Sequence, residues 1–282
     1  MGVLYVVATP IGNLSDISNR ALEVLSSVSV VAAEDTRVSG LLLDRFGIKK
    51  PLVSYHKFNE KEKAENLIER LKEEDFDVAI ITDAGTPCIS DPGSVLVAKA
   101  YQNGIQVVGI PGASAVTLAL SVSGFDTTSF AFYGFFPRGK KEQSEFCLKI
   151  KSDTAKCAVF YESPKRILKT LECLSEYFGE DDICLCNDLT KKFERIYRGD
   201  VNSVLNDVKE NDKYDLGEYA IVIEKKEIAQ VQEEGELSLE ARIFDKYIQG
   251  YTIKDAVEEL TKNGFNRNDA YSAGLNVKKY LN

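Results

Sequence analysis

The sequence predicts an α/β protein. A first domain with a parallel sheet covered by helices on both faces precedes a second with a mixed sheet and helices, and a small all-α C-terminal module follows. Three observations carry this. Five short runs rich in Val, Ile and Ala alternate with helix-period segments over the first 120 residues, and βαβ crossovers place helices on both faces of a parallel sheet. After SGFDTTS (123–129), a polar break containing glycine, the strands become aromatic and more irregularly connected. After QVQEEGE (230–236), an acidic linker, only amphipathic helical patterns remain. The expected domains are 1–122, 123–229 and 236–282, consistent with roughly 150 residues per main domain.

In order, VLYVVA (3–8) reads as a strand, TPIGN as a turn and ISNRALEVL as a helix. VSVVAA (28–33) and SGLLLDRF repeat the unit, as do PLVSY (51–55) and the charged helix EKEKAENLIERLKEE. DVAIIT (77–82) precedes the helix SVLVAKAYQNG, and IQVVGI (105–110) precedes ASAVTLALSVS. In the second domain FAFYGF, CAVFYES, DICLCNDL, RIYRG and EYAIVIEKK are strands, with helices before CAVFYES, over KRILKTLECLSEYF and over 201–210. Three helices over about 237–249, 252–263 and 267–281 complete the chain, either as a capping or dimerising bundle or as an RNA-contacting module.

Composition excludes several classes. Hydrophobic residues at 44% and charged residues at 28% exclude a disordered chain or a fibre. No apolar run is long enough to span a membrane, and the N-terminus reads directly as a strand, so a cytoplasmic location is expected. The net charge of −9 argues against wholesale electrostatic binding of nucleic acid. Yet Arg138 to Lys169 holds nine basic and four acidic residues, so contact with a polyanion belongs there. The six cysteines form no C-x-x-C pair and read as reduced thiols packed as small hydrophobes. His56 is the only histidine, which excludes a two-histidine zinc site, and no metal is expected.

In an open parallel sheet, ligands bind beyond the carboxyl ends of the strands. TPIGN (9–13), AEDTR (33–37), TDAGTPCISDPG (82–93) and IPGASA (110–115) occupy that place. Three of the four are rich in Gly, Pro and small hydroxyl residues, which let a ligand approach the backbone. Neither G-x-G-x-x-G nor a P-loop occurs. The crevice offers Glu34, Asp35, Asp83 and Asp91 but, Arg37 apart, few cations. A positively charged ligand with a nucleoside body suits it better than a phosphate, and S-adenosylmethionine is of that kind.

LYVVATPIGNLSDIS, AAEDTRVSGLLL, ITDAGTPCISDPG, VVGIPGASA and FYESPKRI, then NDLTKKFERIYRG and GEYAIVIE, resemble the ribosomal RNA small subunit methyltransferase I family, of the tetrapyrrole-methylase-like class. The resemblance runs from about residue 3 to 226. It implies S-adenosylmethionine-dependent 2′-O-methylation of a cytidine ribose in 16S rRNA at the decoding centre, on the small ribosomal subunit. It also implies a homodimer and a cofactor cleft between two α/β domains.

Carried over residue by residue, the resemblance places the cofactor against Thr9, Pro10, Gly12 and Asn13 of the first loop. Asp83, Ala84, Gly85, Thr86 and Pro87 of the fourth loop follow, with Pro111, Gly112, Ala113 and Ser114 of the fifth. Arg37, Tyr161, Glu162, Lys165 and Arg166 fall on the substrate side, with Arg138, Lys140 and Lys141 of the basic stretch. Val38 and Lys165 depart from the family, which favours histidine or another polar residue at the first position and histidine at the second.

The transfer requires a ribose oxygen aligned with the methyl–sulfur bond and a base for its proton. Glu34 and Asp35 are candidates, with Lys191 or Lys165 as alternatives if the closed cleft depresses a lysine's pKa. Alternatively Glu34 and Asp35 cap the following helix or pair with Arg37. A side chain at Gly85 or Gly112 is expected to obstruct the cofactor. Competing readings are a tetrapyrrole or other small-molecule methyltransferase, a magnesium-dependent phosphohydrolase using Asp35, Asp83 and Asp91, and a non-catalytic ribosome-assembly factor.

Overall fold

The computed structural model describes residues 1–73, 75–226 and 238–281. The QVQEEGE linker and the domain bounds at 229 and 236 lie outside the described residues. The chain divides into two compact units, residues 1–228 and 229–282.

The first unit begins with β1 (Val3–Val7), α1 (Asn19–Ser27), β2 (Val30–Ala33), α2 (Thr36–Arg45) and β3 (Leu52–Ser54). It continues through α3 (Glu60–Leu71), β4 (Val78–Ile81), α4 (Ser94–Gln102), β5 (Gln106–Ile110) and α5 (Ala115–Ser123). The five strands form an all-parallel sheet in the order β3-β2-β4-β1-β5. β2 and β4 are buried along their whole length, as expected where helices cover both faces.

The strand order positions the site. The chain leaves β1 toward β2 on one side and leaves β4 toward β5 on the other. Right-handed crossovers in opposite directions put their helices on opposite faces. Accordingly Ala21 and Leu25 of α1 pack in one core cluster and Leu96 and Ala100 of α4 in the other. The carboxyl ends of adjacent β1 and β4 are therefore a topological switch point, where a crevice opens.

The second sheet comprises β6 (Phe130–Phe135), β7 (Cys157–Glu162), β8 (Asp182–Asn187), β9 (Arg195–Asp200) and β10 (Tyr219–Glu224). Its order is β6-β7-β10-β8-β9, mixed as expected: β6 and β7 run parallel and the other pairs antiparallel. Helices α6 (Lys140–Ser152), α7 (Ile167–Phe178) and α8 (Val201–Lys209) cover one face, around Phe160, Ile183 and Ile221. The other face, with Val159, Cys184, Cys186 and Val222, receives Val116, Ala119 and Leu120 of α5. Periodicity reads α5 as the last helix of the first sheet, whereas its buried stripe lies against the second. All six cysteines are free, and four of them are buried.

The second unit contains α9 (Leu239–Ile248), α10 (Ile253–Lys262) and α11 (Arg267–Leu281), close to the predicted spans. Ser238 and Thr252 cap the first two by accepting from the backbone N–H groups of Ala241 and Asp255. Ile243, Ala256, Leu260, Ala273 and Val277 form their core. Among the described residues no helix is long and apolar enough to cross a membrane.

Candidate active site

The strand-end loops of the first sheet are tied to one another. The backbones of Thr9 and Gly85 bond in both directions, at 2.8 and 3.1 Å, and the buried Thr9 hydroxyl donates to the Thr82 carbonyl at 3.1 Å. Thr86 Oγ1 donates to the Ala113 carbonyl at 3.1 Å, which joins the fourth loop to the fifth. The second loop joins them through the Thr82 hydroxyl, which donates to Glu34 Oε2 at 2.6 Å, and the Asp35 amide, which donates to Asp83 Oδ1 at 3.1 Å. Four loops from distant stretches of sequence thus form one connected floor.

Above that floor is a cavity of about 520 Å³, within the usual range for small-molecule sites. Of the residues expected from sequence, Glu34, Asp83, Ala84, Gly85, Thr86, Ser114, Tyr161 and Glu162 line it. Ile11, Leu189 and Ala220 supply apolar wall, and Tyr161 packs edge-to-face on Phe135, the two rings 5.4 Å apart. Among the described residues five carboxylates line the cavity (Glu34, Asp83, Asp91, Glu162 and Glu218), and no Lys or Arg does. Such a wall disfavours phosphate and favours a cation. Among the described residues no group of His, Cys, Asp or Glu is arranged to hold a metal ion.

Backbone strain gathers at this cavity. Cys88 and Ser90 take positive φ values of 70° and 68° in the fourth loop, and Asp188 and Thr190 take 52° and 68° on either side of Leu189. Non-glycine residues in this region cost about 1–3 kcal/mol each and cluster at functional sites. Gly85, at φ 88°, takes the same region at low cost.

The remaining first- and fifth-loop residues frame the floor. Pro10 is buried, and Asn13 accepts from the Ser15 amide at 3.1 Å to cap a short 3₁₀ turn. Pro111 and Pro87 do not line the cavity, and neither does Ala113, whose carbonyl is held by Thr86. A Cβ at Gly112 would lie 2.8 Å from Ala8 Cβ, so this glycine serves a close approach between chain segments. An added side chain there meets the end of β1. At Gly85 the nearest atom to an added Cβ is Ile11 Cγ2 at 3.4 Å, and both residues line the cavity.

Several side chains expected at the chemistry are engaged elsewhere. Asp35 caps α2, accepting from the Arg37 amide at 2.8 Å, and pairs with the Arg37 guanidinium at 2.6 Å. Hydrogen bonds from Arg37 hold its carboxyl at about 2, and neither residue lines the cavity. Lys191 lies across Gly12, where an added Cβ would meet its Cγ at 2.4 Å. Its ammonium pairs with Glu218 at 2.8 Å and Asp188 at 3.0 Å. Burial pulls the Lys191 pKa down, but those two carboxylates outweigh burial and leave it raised. The expectation of a depressed lysine is therefore not met.

Glu162, though it borders the cavity, is an internal anchor. Its carboxylate accepts from the Ser163 amide at 2.5 Å, from Arg166 Nε at 2.8 Å and from the Thr170 hydroxyl at 2.5 Å. Arg166 Nη2 also donates to the Phe136 carbonyl at 2.6 Å, so the pair ties β7's end to the β6–α6 connection. Arg138, Lys140, Lys141 and Lys165 are exposed and outside the cavity. His56 bonds locally with Asn59 after β3.

The tetrapyrrole (corrin/porphyrin) methylase family model matches residues 3–205. Over 279 residues the chain is 40% identical to the ribosomal RNA small subunit methyltransferase I of Haemophilus influenzae, covering 97% of this chain and 96% of that one. This chain belongs to that methyltransferase family. The corresponding protein of Bacillus subtilis is 39% identical over 265 residues, covering 92% of this chain and 89% of that one. That of Thermotoga maritima is 42% identical over 227 residues, covering 80% of this chain and 100% of its own. A solved diphthine synthase shares the fold at TM-score 0.62 and 18% identity, covering 80% of this chain and 91% of that one. A uroporphyrin-III-C-methyltransferase from Thermus thermophilus does so at TM-score 0.54 and 22% identity, covering 80% and 95%.

In the methyltransferase's cavity Asp91 stands foremost, read from sequence as one of the crevice's acids but not as a candidate base. It is half-buried in the fourth loop, and burial, reinforced by Glu34 and Asp83, pushes its pKa up to about 6. Burial also raises Asp83, with Glu34 and Asp35 adding to the effect. The available signal was the SDPG run closing the same loop as Asp83. Phe135, part of the FAFYGF strand, is exposed at the cavity's edge.

Proposed function

We propose that this methyltransferase uses S-adenosylmethionine to methylate the ribose 2′-oxygen of a cytidine in 16S rRNA, at the decoding centre of the small ribosomal subunit. One observation carries the cofactor assignment: a cavity at the switch point lined by five carboxylates and no cation. Its size suits a nucleoside, its acids suit a sulfonium, and the close approach at Gly85 leaves room beside Ile11. The loops of Thr9, Pro10, Gly12 and Asn13, of Asp83 to Pro87, and of Pro111 to Ser114 are the proposed cofactor-binding segments. The rRNA substrate rests on the relatives' named activity.

The bound cofactor supplies an electrophilic methyl group on cationic sulfur. The chain's own part would be to hold the ribose hydroxyl toward that methyl group and to receive the hydroxyl's proton. Asp91 is the acceptor in this reading, ionised above about pH 6 and half-shielded from water, with Glu34 beside it. Of the acceptors expected from sequence, Glu34 stays at the cavity, while Asp35 and Lys191 serve as ion-paired supports. Positioning at this level supplies effective molarities of about 10⁵–10⁸ M in well-oriented cases.

Arg138, Lys140, Lys141 and Lys165 are the proposed rRNA contacts. Lys140 and Lys141 occupy the first turn of α6, where the helix dipole disfavours cations by about 0.3–1 kcal/mol. Their placement against that field supports a role outside the fold. The reading includes a cytoplasmic homodimer, checked by sedimentation. Its main test incubates the protein with labelled methyl donor and small-subunit particles lacking the modification, then maps the product. Label on a cytidine ribose is expected. Transfer to a tetrapyrrole and none to particles overturns the reading.

A further inference from the structure

The second unit carries a groove of its own. Between the turn joining α9 to α10 and the outer side of α11 lies a cavity of about 860 Å³. Tyr247, Tyr251 and Tyr271 line it, with Lys254 and Lys278. Among the described residues no carboxylate lines it. The three tyrosines are 43%, 43% and 63% exposed, and the Lys246 ammonium lies over the Tyr251 ring, 5.0 Å from its centre. Among the described residues Lys254 and Lys278 have no ion-pair partner. Lys279 is also without one among the described residues, whereas Lys246 is held by Glu259 at 2.6 Å and Lys262 lies 3.8 Å from Glu258.

The charge balance is also local. Across the whole second unit, residues 229–282, there are seven basic and nine acidic residues, so the positive charge belongs to the groove's lining and not to the unit. The groove concentrates two unpaired ammonium groups without a counter-charge. Gly274 makes this shape possible: an added Cβ would lie 2.7 Å from Val257 Cγ2, so α10 and α11 approach closely at its floor.

We propose that this groove binds a short unpaired stretch of RNA, with bases against the tyrosine rings and phosphates against Lys254 and Lys278. Aromatic faces interleaved with cations are the recurrent means of holding single strands, because every base offers a π-face and every linkage a negative charge. The inference deepens the proposed function and rests on it for the choice of RNA. The unit is also additional to the methyl-transfer body. The family model's match ends at residue 205, before this unit begins.

The test measures binding of a labelled, unstructured 12-nucleotide RNA to the full chain, by fluorescence anisotropy across a salt series. Tyr251→Ala/Tyr271→Ala is expected to weaken binding by about tenfold or more. Lys254→Gln/Lys278→Gln is expected to weaken it and to lower the salt slope by about 0.7 for each phosphate that is no longer neutralised. S-adenosylmethionine affinity should not change in either variant. Wild-type affinity and salt slope in both variants overturn the proposal, as does capture by the groove of an acidic peptide in preference to RNA. All four substituted side chains are exposed, and thermal melts confirm that the variants fold. Methyl transfer to small-subunit particles is measured alongside. Its absence in the wild-type protein removes the parent reading, whereas intact transfer with unaltered RNA binding by the variants removes only the groove.

Discussion

Thr9 and Gly85 hydrogen-bond through their backbones in both directions, though 76 residues separate them. This bridge joins the ends of β1 and β4 and holds Gly85 at φ 88° beside Ile11 in the cavity wall. Gly85→Val is expected to abolish S-adenosylmethionine binding in calorimetry while the protein still melts cooperatively. Gly112→Val is expected to lower the melting temperature, because its side chain meets Ala8. Normal cofactor affinity in Gly85→Val would mean the cavity is not the cofactor site.

Asp91 sets a pH dependence. Methyl transfer should rise as pH increases through about 6 and then level off, because the acceptor must be ionised. Asp91→Asn should lower turnover by about 10²–10⁴-fold and remove that limb from the profile. An unaltered limb assigns it to another group.

The same carboxyl opposes stability at neutral pH. Its folded pKa lies above the ordinary 3.8, so the folded chain binds its proton more tightly than the unfolded chain. Stability therefore falls as pH rises between about 4 and 6 and stays lower above that window. Asp91→Asn should be the more stable protein at pH 7.5, by about 1 kcal/mol once solvent screening at a half-buried site is allowed for. Thermal melts at pH 4 and pH 7.5 check the sign: the gain should appear only at the higher pH.

Arg166 should prove structural. Arg166→Ala leaves the Glu162 carboxylate buried and stripped of its guanidinium, a change that typically costs about 3–5 kcal/mol. Denaturant unfolding should show that loss without any change specific to rRNA affinity. A variant of native stability with weakened rRNA binding would restore Arg166 to the substrate side.

Lys140→Glu/Lys141→Glu should act in the opposite way. Acidic residues suit the first turn of α6, so stability should hold or rise slightly. The KM for small-subunit particles should increase, with S-adenosylmethionine affinity unchanged. Equal KM values would remove these lysines from the interface.

The alternation of strand and helix, the three C-terminal helices and the strand-end loops were legible from sequence, because side-chain period and turn chemistry are local properties. So were Glu34, Asp83 and Gly85 as members of one crevice, since a parallel sheet presents all its strand ends on one edge. Chain fold alone decided which neighbours meet. Arg37 clamps Asp35, Lys191 reaches Glu218 rather than a substrate, and α5 covers the second sheet rather than the first. Asp91 acquires its raised pKa from burial and from Glu34, 57 positions earlier in the chain. Local pattern specifies how each segment bends. Crossovers between segments set the distances and the shielding from water, and on those two quantities the strength of every charge interaction depends.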